Sequence, residues 1–388
     1  MPRLQNDLWI IYVSLLLFAL AMGLYSVIMP AYIRELGATS VQLGLLGSVA
    51  LAIGTLSAIP GGLWADRFER RKLMLVGWAM CIPVPLIYAF SQHWLWLIPG
   101  YFLFNFSMFS NAAMQAYIAS KTDENNRSFT FTFVMSSFSM GFVFAPTLGG
   151  YLAQSVGIRG TFWFSLVLYT LSTLSLLFLS PSYPEKHESR PAGVNWRDYP
   201  KQFWVLVALF SVVWFVMNIP ASFNTPYLQD IAHLDLLKIG FLGSIAAIGG
   251  AILSPFLGKA ADKFGSVRVL GICLCVTAGT YIIQLYAPTV YVLALVFLIR
   301  GGFSAVMSLM TAVISGISDR RAIGMSFAMY NLATGSAATL APYTAGWLYG
   351  QNARFPFVLT IVLALIAGVY FVAKQQKRGE EQCHSPTF

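Results

Sequence analysis

The sequence predicts an all-α membrane protein with twelve transmembrane helices in two six-helix, pseudo-symmetric halves. Three observations predict this class: the composition, the apolar runs, and a repeat of residue types at a constant offset. The 388 residues are 57% hydrophobic, 15% aromatic and only 10% charged. A soluble domain carries about 25% charged residues. So few charges cannot cover a water-exposed surface of this size, and we expect lipid to surround most of the chain.

The apolar runs give the number of helices. A helix that crosses a bilayer needs about 20 mostly apolar residues. Twelve such runs occur, at 8–30, 41–63, 73–90, 94–119, 129–153, 161–180, 203–226, 238–260, 268–287, 290–316, 323–349 and 356–373. The longest polar break is rich in proline and charge. We therefore predict an N-terminal bundle at 1–180, a central cytoplasmic linker at 181–202, a C-terminal bundle at 203–374 and a cytoplasmic tail at 375–388.

Basic residues predict the orientation. With a cytoplasmic N-terminus, the loops on that side hold 19 Lys and Arg residues and the opposite loops hold 4, while Arg300 lies inside a run. Cytoplasmic loops carry such an excess of positive charge. We expect a multi-pass protein of the cytoplasmic (inner) membrane with both termini in the cytoplasm. This distribution explains the net charge of +9 without a nucleic-acid partner, so the expected partners are the bilayer and a small-molecule substrate.

The two halves share residue types at an offset of 196 positions. Within 43–68, ten of 26 residues are identical to those 196 positions later, and the offset persists without a gap from Pro30 to Pro146. Six helices per repeat is an even number, so both halves insert in the same direction. Such parallel repeats are related by an axis along the membrane normal, with the substrate site near the midplane at their interface.

A charged loop follows the second run and recurs in the second half. It reads Gly-Leu-Trp-Ala-Asp-Arg-Phe-Glu-Arg-Arg-Lys at 62–72, and its repeat reads Gly-Lys-Ala-Ala-Asp-Lys-Phe-Gly-Ser-Val-Arg at 258–268. Glycine allows helices to approach closely. A carboxylate at a membrane edge can cap a helix N-terminus, and the basic residues can pair with it. A generic positive loop is the alternative, which two copies at one repeat position disfavour.

This loop resembles the signature of the major facilitator superfamily, and the resemblance extends over essentially the whole chain. It implies the fold of that superfamily and a cytoplasmic gate latch. By position, the latch residues are Gly62, Asp66, Arg67, Arg70 and Arg71, with Asp123 as a partner and Gly258, Asp262, Lys263 and Arg268 as the second copy. Glu69 stands where the family usually has glycine, so the turn geometry of this chain is expected to differ.

The fifth run carries small residues at a spacing of four around a proline. They are Gly141, Ala145, Pro146, Gly149 and Gly150, and the second half repeats Ala341 and Pro342. This pattern is similar to the fifth-helix signature of the superfamily's drug and small-molecule exporters, although Ala145 replaces a glycine. A packing face for a neighbouring helix explains the same residues, and both interpretations stay open.

Arg300 is a charge within the tenth run. A charge at the bilayer centre costs at least about 2.5–3.5 kcal/mol, so an intramembrane arginine is by default functional. Ser304 follows at i+4 and would share its face on a continuous helix. In the superfamily fold the tenth helix lines the central cavity, which implies contact with an anionic or carbonyl-bearing substrate. The alternative is a structural arginine bonded to a neighbouring helix.

Other polar and aromatic side chains lie in runs that the resemblance places at the cavity. We predict substrate contacts from Asn105, Asn111, Gln115, Asn218, Asn224, Tyr25 and Trp214. Intramembrane amides also serve to hold helices together, which is the competing interpretation.

The missing residue types narrow the function. The runs contain no Asp, Glu or His, so a midplane proton carrier is not predicted, and coupling to a proton or a counter-anion stays open. We find no phosphate-binding loop, catalytic set, metal site or cofactor motif. The expected function is a monomeric secondary transporter, not an enzyme. It would move a small organic solute by alternating access as an efflux-type carrier. The alternative is a carrier or exchanger for an organic anion or polar metabolite that uses Arg300.

Overall fold

The computed structural model describes residues 6–122, 127–184, 199–286, 289–317 and 323–383, and the regular elements in these ranges are helices. The first half contains α1 (Asn6–Ser26), α2 (Met29–Glu35), α3 (Ser40–Ala65), α4 (Arg70–Cys81), α5 (Pro83–Phe90), α6 (Ile98–Phe106), α7 (Ser110–Ser120), α8 (Arg127–Ser155) and α9 (Gly157–Ser175). The second contains α10 (Lys201–Asn218), α11 (Asn224–Asp230), α12 (Leu236–Phe264), α13 (Ser266–Tyr286), α14 (Val290–Gly301), α15 (Ser304–Ile317), α16 (Ile323–Gln351) and α17 (Phe355–Cys383).

Several predicted single helices are broken in two. Within the described ranges, nine helical segments are long and apolar enough to span a membrane. The runs at 94–119 and 290–316 each form two shorter helices instead, whereas those at 8–30, 73–90 and 203–226 contain a break but still include one of the nine segments. Proline explains three of these breaks, because Pro30, Pro83 and Pro220 lie at or beside them and proline removes a backbone donor. The break in the last run follows Gly301 and Gly302.

The sequence repeat reappears in the helix boundaries. Helices α3 and α4 begin at residues 40 and 70, and α12 and α13 begin 196 positions later at 236 and 266. The end of α8 at Ser155 and the end of α16 at Gln351 have the same offset. The 196-residue offset seen as scattered identities in the sequence is therefore also the spacing of equivalent helix boundaries.

The chain forms two compact units. Unit 1 comprises Met1–Glu188 and Leu228–Ser244, and unit 2 comprises Ser189–Tyr227 and Ile245–Phe388. Within unit 1, α1 packs against α8 and α9, and within unit 2, α13 packs against α17 and α10 against α16. The pairs α1–α8 and α10–α16 occupy equivalent positions in the repeat.

Residues 228–244 of unit 1 are attached by polar bonds. The Asp230 carboxylate pairs with Arg34 Nη1 at 2.9 Å. Further along, the Thr147 hydroxyl donates to Ser244 Oγ at 2.7 Å. A Cβ atom on Gly240 would overlap the carbonyl of Pro146. Glycine there permits the close approach of α12 to α8, and hydrogen bonds hold the contact.

Candidate functional site

Unit 1 encloses a cavity of about 280 Å³. Its wall is dominated by methionine and aromatic side chains: Met22, Met108, Met114, Met135, Phe18, Trp78, Phe104 and Phe138. Methionine is flexible and polarizable, and it suits surfaces that accept ligands of different shapes. Aromatic rings add large apolar area and a face that attracts cations. The wall is therefore suited to compounds that are partly apolar and variable in shape.

One edge of this cavity is polar. Ser107, Ser110, Asn111 and Gln115 line it from the 3₁₀ turn at 107–109 and from α7. The Asn111 amide donates to the sulfur of Met108 at 3.4 Å, and Gln115 is exposed. The structure thus brings two of the predicted amides, Asn111 and Gln115, to one cavity. A few polar groups on a mostly apolar wall are the usual arrangement of a small-molecule site.

Two other predicted residues of unit 1 lie away from this wall. Asn105 donates its amide to the Tyr101 carbonyl of its own helix at 2.9 Å. Tyr25 is buried, and its hydroxyl lies 2.9 Å from that of Tyr169. Both side chains engage internal partners, which makes them part of the packing of unit 1 in this conformation.

Arg300 of unit 2 lies in a cluster that joins three helices. Its Nη2 donates to Gln284 Oε1 on α13 at 2.7 Å, and its Nη1 donates to Asn224 Oδ1 on α11 at 3.3 Å. Gln284 also donates to Asn224 Oδ1, at 3.3 Å. The guanidinium lies 4.4 Å from the ring centre of Tyr281 and 4.3 Å from that of Phe297. The guanidinium charge is therefore held by neutral amide oxygens and aromatic faces, which offset a positive charge less than a carboxylate would.

The backbone changes one expectation about this cluster. Arg300 lies in the last turn of α14, and Ser304 begins α15. Between them, the N–H of Phe303 donates to the Arg300 carbonyl at 3.0 Å, a bond of the i to i+3 type. The prediction that Ser304 shares the face of Arg300 assumed one continuous helix with 100° per residue. That assumption is wrong here because the glycine pair interrupts the helix.

The remaining predicted residues of unit 2 bond within the bundle. The Trp214 indole donates to the Tyr330 hydroxyl at 3.2 Å, and Asn218 donates to the Trp214 carbonyl at 2.8 Å. Asn224 alone of this group joins the Arg300 cluster.

In the latch loop, residues 62–72, two arginines bind backbone carbonyls and not the carboxylate that the sequence predicts. Arg70 donates to the Ala116 carbonyl at 3.4 Å, and Arg71 donates to the Leu177 carbonyl at 2.5 Å. They bind carbonyls near the ends of α7 and α9, where the helix dipole favours positive charge. Asp66, the expected partner, is exposed and has no ion pair among the described residues. The carboxylate that does pair is Glu69, with Lys72 at 2.9 Å.

The glycine at the start of each loop also differs from expectation. A Cβ atom on Gly62 or Gly258 would meet nothing within 4 Å. The close approach occurs one residue earlier, where a Cβ on Gly61 would overlap the backbone of Phe109. In the second loop Asp262, Lys263 and Arg268 are exposed. Asp123 lies outside the described residues.

The fifth-helix motif lies on α8 and packs against α1. A Cβ on Gly141 would overlap Ala19, and a Cβ on Gly149 would overlap the Leu24 carbonyl. Ala145 is fully buried where Gly23 of α1 leaves room for it. The neighbouring Gly150 approaches the Leu236 carbonyl. On α16, Ala341 is fully buried and Pro342 lies inside the helix. The small residues of α8 thus bring two helix backbones together.

Comparison with known proteins identifies the family. The sequence profile described as Major Facilitator Superfamily matches residues 11–252 and 206–383. The chain belongs to the Major Facilitator Superfamily. Multidrug resistance protein 2 of Bacillus subtilis is 26% identical over 96% of both chains. The quinolone resistance protein NorA of Staphylococcus aureus is 21% identical over 97% of this chain and 98% of its own length.

Solved structures of the superfamily share the fold. The nucleoside transporter NupG superposes with a TM-score of 0.80 at 12% identity, over 95% of this chain and 99% of its own. The human organic anion transporter MFSD10 superposes with a TM-score of 0.70 at 17% identity, over 96% and 100%. This superfamily member is therefore a multi-pass membrane transporter for small molecules.

Sequence reasoning missed three residues that this superfamily member buries at polar clusters. Gln284 is fully buried in α13 and completes the Arg300 cluster. Asp7 is buried in the first turn of α1, one residue before the first apolar run. Glu69, which departs from the family pattern, is also buried. An uncharged amide inside an apolar run was a visible signal for Gln284. Within the described residues, no three His, Cys, Asp or Glu side chains gather as metal ligands would.

The Asp7 carboxylate joins three segments of unit 1. Lys121 Nζ pairs with its Oδ2 at 2.9 Å, and the Tyr117 hydroxyl donates to the same oxygen at 3.0 Å. The backbone N–H and the hydroxyl of Ser180 donate to Oδ1 at 3.3 and 3.2 Å. Both oxygens are thus bonded, and the ends of α1, α7 and the segment after α9 are tied together.

Proposed function

We propose that this chain is an efflux-type secondary transporter of the cytoplasmic membrane that exports small amphipathic organic compounds by alternating access. The observation that carries the proposal is the cavity of unit 1, with its methionine and aromatic wall and one polar edge. The names of the relatives, a multidrug resistance protein and a quinolone resistance protein, support the same substrate class. The excess of basic residues on one set of loops supports cytoplasmic termini.

Filling the cavity tests this proposal. Met108→Trp places a larger side chain at the cavity wall, so we expect the KM for a lipophilic cation to rise at least about tenfold, or about 1.4 kcal/mol. The measurement is dye export from proteoliposomes. Leu171→Trp is the matched control, because Leu171 is 47% exposed on α9 and lies outside the cavity. Equal kinetics of the two variants and the wild type would refute a substrate site in this cavity.

The second candidate function is transport of an organic anion, and one observation favours it. Arg300 has no carboxylate partner among the described residues, so its positive charge is not neutralised. We propose Arg300→Gln to separate the two functions. An anion carrier would lose uptake of a carboxylate, whereas an exporter of lipophilic cations would retain dye export. Retained carboxylate transport in this variant would exclude Arg300 as the anion site.

Coupling is tested by the same preparation. We propose that a proton or a counter-anion drives export. Imposing a pH gradient and then a chloride gradient across the vesicles identifies the coupling ion by the gradient that accelerates export. Export unaffected by both would remove the proposal of active coupling and leave facilitated diffusion.

A further inference from the structure

A second cavity of unit 1 lies at the latch loop, away from the cavity assigned to substrate. Its volume is about 470 Å³, and we name it the interfacial groove. Trp64, Arg67, Phe68, Lys72, Val76 and Tyr183 line it together with buried Glu69. It joins the end of α3, the start of α4 and the first residues after Ser180. The proposed transport mechanism assigns no ligand to it.

The groove has an apolar side that the described residues of unit 1 leave exposed. Phe68 is 54% exposed and Val76 is 53% exposed, although both belong to the wall. The Trp64 ring packs on Phe109, with centroids 5.1 Å apart, and Tyr183 also lines the groove. Tryptophan and tyrosine are enriched where a bilayer meets water. The groove thus combines an acyl-chain surface with the aromatic residues of a membrane interface.

The polar end of the groove carries net positive charge. Lys72 is paired with Glu69 at 2.9 Å, and Arg67 has no ion pair among the described residues. Two cations and one carboxylate leave a charge of about +1. The Lys72 side chain is 75% exposed while Glu69 is 7% exposed, so the cation faces the opening and the carboxylate lies beneath it. An anion that enters the groove meets Arg67 and Lys72 first.

We propose that the interfacial groove binds one anionic phospholipid, with its phosphate between Arg67 and Lys72 and an acyl chain along Phe68 and Val76. Basic pockets on the cytoplasmic side of membrane proteins bind anionic head groups. A soluble phosphate compound would use the same two cations, but it would leave the apolar side exposed. The placement in the cytoplasmic leaflet depends on the orientation given under the proposed function, whereas the binding itself does not depend on the substrate.

Native mass spectrometry of the full chain in detergent tests this proposal. The probes are phosphatidylglycerol, phosphatidylcholine with the same acyl chains, and glycerophosphoglycerol, which is the head group alone. We expect phosphatidylglycerol to bind at least about tenfold more tightly than phosphatidylcholine. Equal retention of the two lipids would overturn the proposal. Tight binding of glycerophosphoglycerol would also overturn it, because it would identify a site for a soluble anion.

Matched variants assign the binding to the groove. Arg67→Gln with Lys72→Gln should weaken phosphatidylglycerol binding at least about tenfold. The control Lys263→Gln removes a charge from the equivalent position of the second loop and should retain binding. Unchanged affinity in the Arg67→Gln, Lys72→Gln double variant would contradict the assignment of the lipid to the groove. Should the double variant fail to fold, Val76→Gln on the apolar side serves instead, and it should weaken the lipid but not the free head group. The readout is lipid binding and not dye export. The lipid result therefore stands whether or not the proposed export function is confirmed.

Discussion

The clusters around Asp7 in unit 1 and Arg300 in unit 2 show two ways of holding a charge inside a helical bundle. Asp7 has a cation, Lys121, at 2.9 Å and hydrogen bonds to both oxygens. Arg300 has two amide oxygens and two aromatic faces, but no carboxylate among the described residues. The first cluster is neutral and closed, which is typical of a structural joint. The second retains its charge, which is typical of a site that meets an anion or changes partner.

The largest expected effect comes from opening the neutral cluster. Asp7→Leu leaves Lys121 without an anion in a site where the lysine side chain is 22% exposed. Breaking a buried pair costs about 3–5 kcal/mol, and we expect about 2–4 here because Lys121 can partly reach water. The measurement is unfolding in detergent micelles. The double variant with Lys121→Met should recover most of the loss, and a double variant as unstable as Asp7→Leu would show that the pair is not the cause.

A smaller effect is expected from Gln284→Leu. This change keeps the volume similar but removes the acceptor for Arg300 Nη2 and the donor to Asn224. An unsatisfied buried polar group costs about 1–3 kcal/mol, and we expect a loss in that range. The Arg300→Met, Gln284→Leu double variant removes the charge as well and should be more stable than Gln284→Leu alone. An unchanged free energy of unfolding in Gln284→Leu would show that the Arg300 cluster, unlike the Asp7 cluster, does not stabilise the fold.

The partly exposed pair of Arg34 and Asp230 should contribute less than the Asp7 cluster or the buried Gln284. Both side chains are about one-third exposed, at 33% and 34%. We expect a coupling energy of about 0.5–1 kcal/mol from a double-mutant cycle with Arg34→Gln and Asp230→Asn, and a decrease in high salt. A coupling energy above that of Asp7 and Lys121 would contradict the view that burial determines the ranking.

The smallest effect is a pH dependence at Asp235. Burial alone would raise the pKa of its carboxyl, but hydrogen bonds from the Lys238 side chain and N–H outweigh this and lower the pKa below its ordinary value of 3.8. Its contribution is therefore present above about pH 4 and is lost as the pH falls through the folded pKa. Since the side chains are 39% and 50% exposed, Asp235→Asn should cost under about 1 kcal/mol at pH 7. Melting temperatures of the two proteins should converge as the pH falls through the folded pKa, and a gap that widens on acidification would reverse the sign.

The sequence predicted the family and the placement of the helices well because both depend on long apolar runs and on repeat spacing. It did not predict the helix breaks. The sequence shows that Gly301 and Gly302 permit an interruption, but it does not show that the helix is in fact interrupted there. The shared face of Ser304 and Arg300 stays a prediction, because the helix is interrupted between them. Asn111 and Gln115 reach one cavity because they are four residues apart on α7. Gln284 was missed because its partner, Asn224, is 60 residues away in the chain.

The Arg34–Asp230 pair also bears on ancestry, since its members are separated by 196 residues, the length of the internal repeat. In two identical copies of one six-helix module these two positions would hold the same amino acid, so an ion pair of opposite charges could not form between them. The attraction seen now required the copies to diverge. An assembly of two identical six-helix modules could not have made this bond, which gives single-chain fusion a physical advantage over a homodimer.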